Sequence, residues 1–313
     1  MTISLPQDVA DTIREIFGER GKRWLRDLPT VVEELCAQWD VTLIGDGFSG
    51  GTHSFVAPVR RDDDSTAVLK VPVIDPENIG EAAGLFCYAG EGAVRMYEFD
   101  SGSNSMLLEW AKPGTELVYQ PGFPSLEGEA RNIDKVEFAC TLYKRLRREP
   151  AGIPADYPAL PLAADMVSQW TRMFSDMKPE LAQLIPAHLR ELAADWCARL
   201  RVPDGPLLVV NRDTHLGNII AAEREPWLLI DPKAYLGEAA FDAGFLIMIQ
   251  VQSWPTPEQA RTVVERTATG MEVDPERARG WAFMRAMEEI VWAHEDQEPE
   301  DLALHLAVAT ALA

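Results

Sequence analysis

The sequence has few cysteines and no long apolar run, and each shortage narrows the class of protein. Its four cysteines include no Cys-x-x-Cys pair, which argues against a zinc site and a disulfide framework, so we expect buried, reduced thiols. No apolar stretch approaches the length of a membrane-spanning helix, and no leader peptide precedes the first predicted helix. We therefore expect a cytoplasmic protein without a membrane partner.

Basic side chains are also scarce. The chain of 313 residues has 29 Lys and Arg against 50 Asp and Glu, which gives a net charge of −21. Such a surface repels nucleic acid and attracts small cationic molecules, although acidity also serves solubility alone. The charge therefore argues against a nucleic-acid partner. The length suits one bilobal catalytic unit or two small domains.

The most informative segment joins two apolar, strand-like runs through a polar loop. Asn211-Arg212-Asp213 is followed five residues later by Asn218, and Asp231 comes thirteen residues after that, behind a second apolar run. This is the spacing of a kinase catalytic loop, in which the aspartate accepts the acceptor's proton and the asparagine binds Mg²⁺. Asp and Asn also cap ordinary turns, but the flanking strands favour the catalytic interpretation. We therefore predict Asp213 as the base, with Asn218 and Asp231 as Mg²⁺ ligands.

These motifs resemble the aminoglycoside phosphotransferase family, and most closely its streptomycin 6-kinase and hydroxyurea phosphotransferase branch. The segments that carry the resemblance are 211–218 and 230–233, with further support from 24–29, 68–71 and 92–100. The family usually has His-Gly-Asp or Asn-Gln-Asp where this chain has Asn-Arg-Asp, so the catalytic aspartate is kept and its surroundings differ. The resemblance implies an antibiotic resistance kinase whose acceptor is an aminoglycoside such as streptomycin.

A kinase needs a nucleotide-binding lobe upstream, and the sequence predicts one. Residues 41–59 form two strands around a glycine-rich turn, in which Gly47, Gly50 and Gly51 let backbone amides approach phosphates. The turn lacks the Gly-Lys-Ser/Thr of a Walker loop, so a lysine from elsewhere must contact the phosphates. A plain hairpin turn is the alternative.

That lysine is predicted to be Lys70, in the middle of the alternating strand 66–73. An ammonium inside a strand needs an anionic partner, because burying it unpaired is costly. We expect Lys70 to contact the phosphates of the nucleotide and to pair with Glu81 at the start of the next helix. Glu77 is the alternative partner, and a solvated edge-strand lysine is the structural alternative.

The strands 94–100 and 105–111 are predicted to form a hairpin that ends at the hinge between the lobes. Backbone groups around Glu109 and Ala111 would bind the nucleotide base, which leaves ATP and GTP both open as donors. An exposed acid at a strand end is the alternative interpretation of Glu109.

The remainder is predicted to be mostly helical, with core helices over 133–148 and 181–200 and a proline-rich loop between them that borders the cleft. Asp242 is expected to tether the catalytic loop. On the helix that begins near Arg279, one stripe carries aromatic and acidic side chains suited to a cationic substrate. Its candidate acceptor contacts are Trp281, Glu288, Trp292 and Glu295, and Lys233 is a candidate for the γ-phosphate. A half-buried boundary stripe is the alternative.

Together these features predict an α+β, bilobal protein-kinase-like fold with an N-terminal antiparallel sheet lobe and a mostly helical C-terminal lobe. We expect N-terminal helices over 1–40, the nucleotide lobe over 41–112 and the helical lobe over 113–313. The predicted function is ATP- and Mg²⁺-dependent O-phosphorylation of a small hydroxylated, cationic molecule by a monomer or small homo-oligomer. A metabolic kinase of a sugar or amino alcohol and a nucleotide-binding module without turnover remain as alternatives.

Overall fold

An antiparallel sheet of five strands forms the first lobe in the computed structural model, which describes residues 3–119 and 133–313. The strands lie in the order β1-β2-β3-β5-β4. Their bounds are β1 Val41–Leu43, β2 Ser54–Arg61, β3 Thr66–Pro72, β4 Met96–Asp100 and β5 Ser105–Glu109. The strand expected over 66–73 is found as β3, but the expected alternation of buried and exposed residues is wrong, because every residue from Ala67 to Pro72 is buried. The hairpin expected over 94–111 is found as the antiparallel pair β4 and β5. Helix α2, Glu81–Tyr88, follows β3.

A long N-terminal helix, α1 Gln7–Gln38, packs on this sheet. Its backbone is kinked at Gly18, whose φ is 52° and ψ −127°, so the two expected helical segments meet there without an intervening loop. The second segment buries Val32 and Leu35 in one cluster with strand residues such as Phe55. The Trp24 indole donates a hydrogen bond of 3.0 Å to the Pro72 carbonyl. These contacts fix the helix against β2 and β3.

The second lobe is mostly helical. Its helices are α3 Ile133–Leu146, α4 Ala163–Ser175, α5 Pro179–Leu184, α6 Ala187–Leu200, α7 Phe241–Gln252, α8 Pro257–Met271, α9 Pro275–Glu295 and α10 Pro299–Leu312. The expected single helix over 181–200 is wrong, because Pro186 lacks an amide proton and separates α5 from α6. The fully buried indoles of Trp170 and Trp196 mark the centre of this lobe.

Two small antiparallel ladders sit where the lobes meet. Strand β6, Leu208–Asn211, pairs with β9, Ala234–Gly237, and β7, Ile219–Ala221, pairs with β8, Trp227–Leu229. The proline-rich connection before α4 brings Tyr157 against Phe86 and Phe99 of the sheet lobe, at ring-centroid distances of 5.4 and 4.3 Å. This connection therefore joins the two lobes.

The observed order, a sheet lobe followed by a helical lobe, confirms the α+β prediction. All four cysteines are buried and unpaired, as expected. Within the described ranges, every helix is too short or too polar to cross a bilayer.

Candidate active site

A cavity of about 620 Å³ lies between the two lobes and collects most of the predicted site residues. The sheet lobe contributes Lys70 and Glu81 to its wall, and the helical lobe contributes Asp213, Asn218 and Asp231. Residues more than a hundred positions apart in the sequence thus share one cleft.

The two ladders explain how the catalytic segment is held in place. Strand β6 ends at Asn211, whose side-chain oxygen accepts hydrogen bonds from the amides of Asp213 at 3.0 Å and Lys233 at 3.1 Å. In the other ladder, the Ile230 amide donates to the Asn218 carbonyl at 2.8 Å. Because each ladder ends beside the other, the loop after β6 and the loop after β8 face the same point.

Asp242 tethers this arrangement from behind, as the sequence predicted. Its Oδ1 accepts a hydrogen bond of 2.6 Å from the Asn211 amide, and its Oδ2 accepts one of 2.6 Å from Nε of Arg147. The Thr214 hydroxyl donates to the Asp242 carbonyl at 2.8 Å. A buried carboxylate thus fixes the backbone on which Asp213 sits.

Asp213 faces the cavity within a ring of donors. Its Oδ2 lies 3.2 Å from Nδ2 of Asn218, 3.6 Å from Nε2 of His215 and 3.9 Å from Nζ of Lys233. The His215 Nδ1 accepts from the Gly217 amide, which places the ring proton on Nε2, toward Asp213. Burial raises the pKa of Asp213, but His215 and Lys233 outweigh it and lower that pKa to about 2. The carboxylate is therefore ionised and able to accept a hydroxyl's hydrogen bond.

Lys70 joins the lobes across the cavity. Its ammonium donates to Glu81 at 2.7 Å and to Asp231 at 2.6 Å, so the structure pairs Lys70 with Glu81 and not with Glu77. Burial disfavours the ammonium, yet the two carboxylates raise the pKa of Lys70. Burial likewise raises the pKa of Glu81 to about 7, against the opposing charge of Lys70. The pair is a buried ion pair that points into the cavity, and Lys70 is not a solvated edge-strand lysine.

Asp231 has the backbone geometry of a constrained site. Its φ is 48°, which is uncommon for a residue other than glycine, and such strain persists where the surroundings fix it. Half of its side-chain surface is open. Asp231 and Asn218 both line the cavity, and their side chains carry oxygen, the ligand type that Mg²⁺ prefers alongside water and phosphate. Within residues 3–119 and 133–313, no cluster of three or more His, Cys, Asp or Glu forms a metal site of its own.

Only two of the three predicted glycines of the glycine-rich turn lie at the cavity. Gly50 and Gly51 line the cavity, and Gly50 has a φ of 82° that favours glycine. Gly47 does not line it: a Cβ there would lie 2.8 Å from the Phe55 ring, and its amide donates to the Ser4 carbonyl at 2.9 Å. Gly47 is therefore required for close packing under the turn. The Gly50 amide donates to Oδ2 of Asp8 at 3.0 Å, so the prediction of an amide contact to phosphate rests on Gly51.

The predicted hinge also lies on the cavity wall, with Glu109, Trp110 and Ala111 in sequence. The Glu109 carboxylate accepts hydrogen bonds from Arg224 at 2.7 Å and from the Arg95 amide at 3.0 Å. The side chain of Glu109 thus fastens the turn between β7 and β8 to the sheet lobe, and it is not a free strand-end acid.

The aromatic and acidic stripe on α9 does not line the cavity, so the predicted acceptor contacts there need correction. Trp281 is only 2% exposed and its indole donates to Glu238, because α7 and α4 pack over this part of α9. Glu288 is buried between Arg212 and Arg285, so its charge is already paired. Trp292 is partly buried, with the same two guanidinium groups 5.4 and 5.5 Å from its ring. Trp281 and Glu288 are therefore internal, and neither they nor Trp292 line the cavity.

Glu295, the last member of that stripe, is exposed at the end of α9 and lies outside the cavity wall. His215 and Glu116 also line the cavity, and the sequence analysis assigned a role to neither. His215 follows Asp213 by two positions, and this proximity was the available signal. Glu116 precedes the catalytic loop by about a hundred residues, and backbone pairing of the segment around Glu116 with Ile220 and Ala221 brings it near.

Comparison with known proteins confirms the predicted family. Residues 38–297 match the family described as aminoglycoside/hydroxyurea antibiotic resistance kinases. A streptomycin 6-kinase from Streptomyces glaucescens is 29% identical over 300 residues, which cover 94% of this chain and 92% of that protein. A hydroxyurea phosphotransferase from Kitasatospora aureofaciens is 30% identical over 313 residues, or 99% of this chain and 86% of that protein.

The fold has solved counterparts at lower identity. An aminoglycoside phosphotransferase, APH(4)-Ia, in a ternary complex with AMP-PNP and hygromycin B has a TM-score of 0.58 at 14% identity. The match covers 90% of this chain and 96% of that one. The bilobal, protein-kinase-like fold that the sequence predicted is thereby confirmed.

Proposed function

The chain belongs to the aminoglycoside/hydroxyurea antibiotic resistance kinases, a family of phosphotransferases with alcohol acceptors, and we propose that it phosphorylates a hydroxyl of a small cationic molecule with ATP. The observation that carries this proposal is the convergence of Lys70, Asp213, Asn218 and Asp231 on one cavity. By analogy with the streptomycin 6-kinases among its relatives, an aminoglycoside such as streptomycin is the proposed acceptor.

In the proposed reaction, the acceptor oxygen bonds to the γ-phosphorus of ATP as the bond between that phosphorus and the bridging oxygen of ADP breaks. Asp213 orients the acceptor hydroxyl and takes its proton. Because such transfers pass through a loose, highly charged transition state, positioning and charge neutralisation supply most of the catalysis. The low pKa of Asp213 suits orientation of the hydroxyl and late transfer of its proton.

The remaining residues hold the nucleotide. Lys70, kept in place by Glu81, contacts the phosphates, and Gly51 of the glycine-rich turn lies beside them. Asn218 and Asp231 would bind Mg²⁺, which neutralises charge on the phosphate oxygens when it is present. Backbone groups near Glu109 and Ala111 hold the base, and Lys233 adds positive charge beside the γ-phosphate.

Two features favour a cationic acceptor. Glu116 places a carboxylate on the cavity wall that neither the phosphates nor the base requires, and a net charge of −21 draws cations toward the protein. With Glu288 already paired to two arginines, Glu116 is the stronger candidate for contact with an ammonium or guanidinium group.

A second candidate is a small neutral acceptor, such as hydroxyurea, a sugar or another metabolic hydroxyl compound. Lys233 lies beside the Asp213 carboxylate, and the charge of Arg285 also lowers the pKa of Asp213, so the immediate surroundings of the base are cationic. Such surroundings disfavour an acceptor whose positive charge lies next to the reacting hydroxyl. One relative is a hydroxyurea phosphotransferase, which supports this candidate.

An acceptor panel separates the candidates. The protein is incubated with ATP, Mg²⁺ and streptomycin, hydroxyurea, choline or a neutral sugar, and phosphorylated products are identified by mass spectrometry. A cationic acceptor should show a KM that rises with salt and rises further in Glu116→Gln, because exposed charges are screened over about 10 Å near 0.1 M salt. A neutral product with a salt-independent KM contradicts the aminoglycoside assignment. ATP hydrolysis without any product, or none at all, contradicts the transfer reaction itself.

A further inference from the structure

The sequence left Glu77 as an alternative partner for Lys70, but the structure pairs Lys70 with Glu81. Glu77 instead makes a separate contact between the two lobes. It lies just before α2 in the sheet lobe, where the Asp75 carboxylate accepts hydrogen bonds from the amides of Glu77 at 2.7 Å and Asn78 at 3.1 Å. These bonds fix the Glu77 backbone. Its carboxylate then reaches across to the helical lobe.

Two cations of the helical lobe meet on that carboxylate. Oε1 pairs with Nη1 of Arg212, and Oε2 lies 3.0 Å from Nζ of Lys233. Arg212 directly precedes Asp213, and Lys233 follows Asp231 by two positions. One side chain of the sheet lobe therefore touches the neighbours of both the base and the metal-binding aspartate.

The two contacts have different consequences. Arg212 is buried and also has Glu288 as a partner, with Nη2 at 3.0 Å from Oε2 of that residue. Lys233 lines the cavity, whereas Glu77 does not, and Nζ of Lys233 lies 3.9 Å from the Asp213 carboxylate. Without Glu77, the nearest anion for Lys233 is the base itself. Glu77 thus holds the ammonium between the two carboxylates.

We propose that Glu77 is a positioning residue that holds Lys233 where it contacts the transferred phosphoryl group of the nucleotide. The inference rests on the proposed kinase function and deepens it. Because Glu77 sits on the sheet lobe and Lys233 on the helical lobe, this placement depends on the docking of one lobe on the other. The contacts of Glu77 thus link the nucleotide lobe directly to the residues beside Asp213.

The consequence is a preference for a triphosphate that depends on Glu77. A lysine held beside the γ-phosphate favours a nucleotide with that group over ADP, and a lysine that has moved to Asp213 does not. Affinities for AMP-PNP and ADP are therefore measured with Mg²⁺ by titration calorimetry in the parent, Glu77→Gln, Lys233→Met and the double variant. No acceptor is needed, so the result is independent of acceptor identity.

We expect Glu77→Gln and Lys233→Met each to reduce the preference for AMP-PNP over ADP by roughly tenfold, as for the loss of one charge-assisted hydrogen bond. The double variant should lose no more than either single one, because both changes remove the same contact. Glu272→Gln is the matched control: it also removes an ion pair to a lysine, 2.8 Å from Lys144, but on the exposed surface. It should keep the parent's preference.

A merely structural role for Glu77 would lower thermal stability and leave the ratio of the two affinities unchanged, which would overturn the proposal. Additive losses in the double variant, or a parental ratio in Lys233→Met, would overturn it as well. If Glu77→Gln does not fold, Glu77→Asp keeps the charge on a shorter side chain and should give an intermediate ratio. Absence of any phosphorylated acceptor would refute the proposed function while leaving these binding results interpretable.

Discussion

Nζ of Lys70 lies 2.6 Å from Oδ1 of Asp231, although the two residues are 161 positions apart in the sequence. The contact spans the cleft between the sheet lobe and the helical lobe. Together with the 2.7 Å pair between Lys70 and Glu81, it aligns three charges along one side of the cavity. This is the arrangement that a nucleotide with bound Mg²⁺ would engage, with the ammonium on phosphate and the carboxylate on the metal.

Replacing Asp231 tests that assignment. Asp231→Ala should abolish the Mg²⁺-dependent part of nucleotide affinity, because the metal loses a carboxylate ligand, while binding without Mg²⁺ should persist through Lys70, which Glu81 holds in place. Titration calorimetry with AMP-PNP, with and without Mg²⁺, measures both. Asp62→Ala, in the exposed turn between β2 and β3, is the control and should match the parent. An unchanged response to Mg²⁺ in Asp231→Ala would make this residue structural.

The ion pairs of Glu77 predict a pH-dependent contribution to stability. Burial raises its pKa, but Arg212 and Lys233 outweigh it and lower that pKa from 4.5 to about 2. The folded protein therefore binds this proton less tightly than the unfolded chain does. Ionised Glu77 therefore stabilises the folded protein fully above pH 4.5, and this stabilisation is lost as the pH falls toward 2. Its contribution to the free energy of unfolding at neutral pH is on the order of 3 kcal/mol.

Urea unfolding of the parent and Glu77→Gln at a series of pH values measures this contribution. The difference in unfolding free energy should be largest at pH 5 and above, on the scale of about 2–3 kcal/mol, and should shrink below pH 4.5. A difference that stays constant down to the lowest pH at which the protein folds would show that Glu77 acts by packing and not by charge.

We expect Glu288 to stabilise the folded protein and to hold Arg212 of the catalytic loop in place, because Arg212 and Arg285 enclose its carboxylate. Removing one member of a buried ionic group typically costs about 3–5 kcal/mol, so Glu288→Gln should unfold at clearly lower urea concentration. Glu295→Gln, at the exposed end of the same helix, should leave the unfolding midpoint unchanged. If Glu288→Gln keeps parental stability and raises only the acceptor's KM, the original assignment of Glu288 to the acceptor wall is restored.

The sequence predicted local features of the site well, because each rests on spacing within a few residues. Lys70 and Glu81 are eleven residues apart across a strand-to-helix turn, and their pairing was expected. The catalytic loop and Asp231 meet because β7 pairs with β8, as the short apolar runs on either side of the turn indicated. The pairing of β6 with β9 was not predicted.

Pairings across long stretches of sequence could not be predicted in this way. Arg212 meets Glu77 and Glu288 at separations of 135 and 76 residues, and no pattern within one element encodes either contact. The burial of Trp281 was missed for a related reason. An amphipathic stripe shows that one face of α9 is apolar, but α10 and α7 also cover its flanks, so side chains at the edge of the stripe become internal.

The most direct test of the central claim follows the γ-phosphate itself. ATP labelled with ¹⁸O in its γ-phosphate is incubated with Mg²⁺ and the preferred acceptor, and ³¹P NMR and mass spectrometry identify where the label goes. The parent should place the labelled phosphoryl group on an acceptor hydroxyl. Asp213→Asn should bind AMP-PNP normally, and its rate of label transfer should fall by about 10²-fold or more, as expected for loss of a general base. Equal rates of transfer in the two proteins, or label found only in inorganic phosphate, would contradict the assignment of Asp213 as the residue that directs phosphoryl transfer.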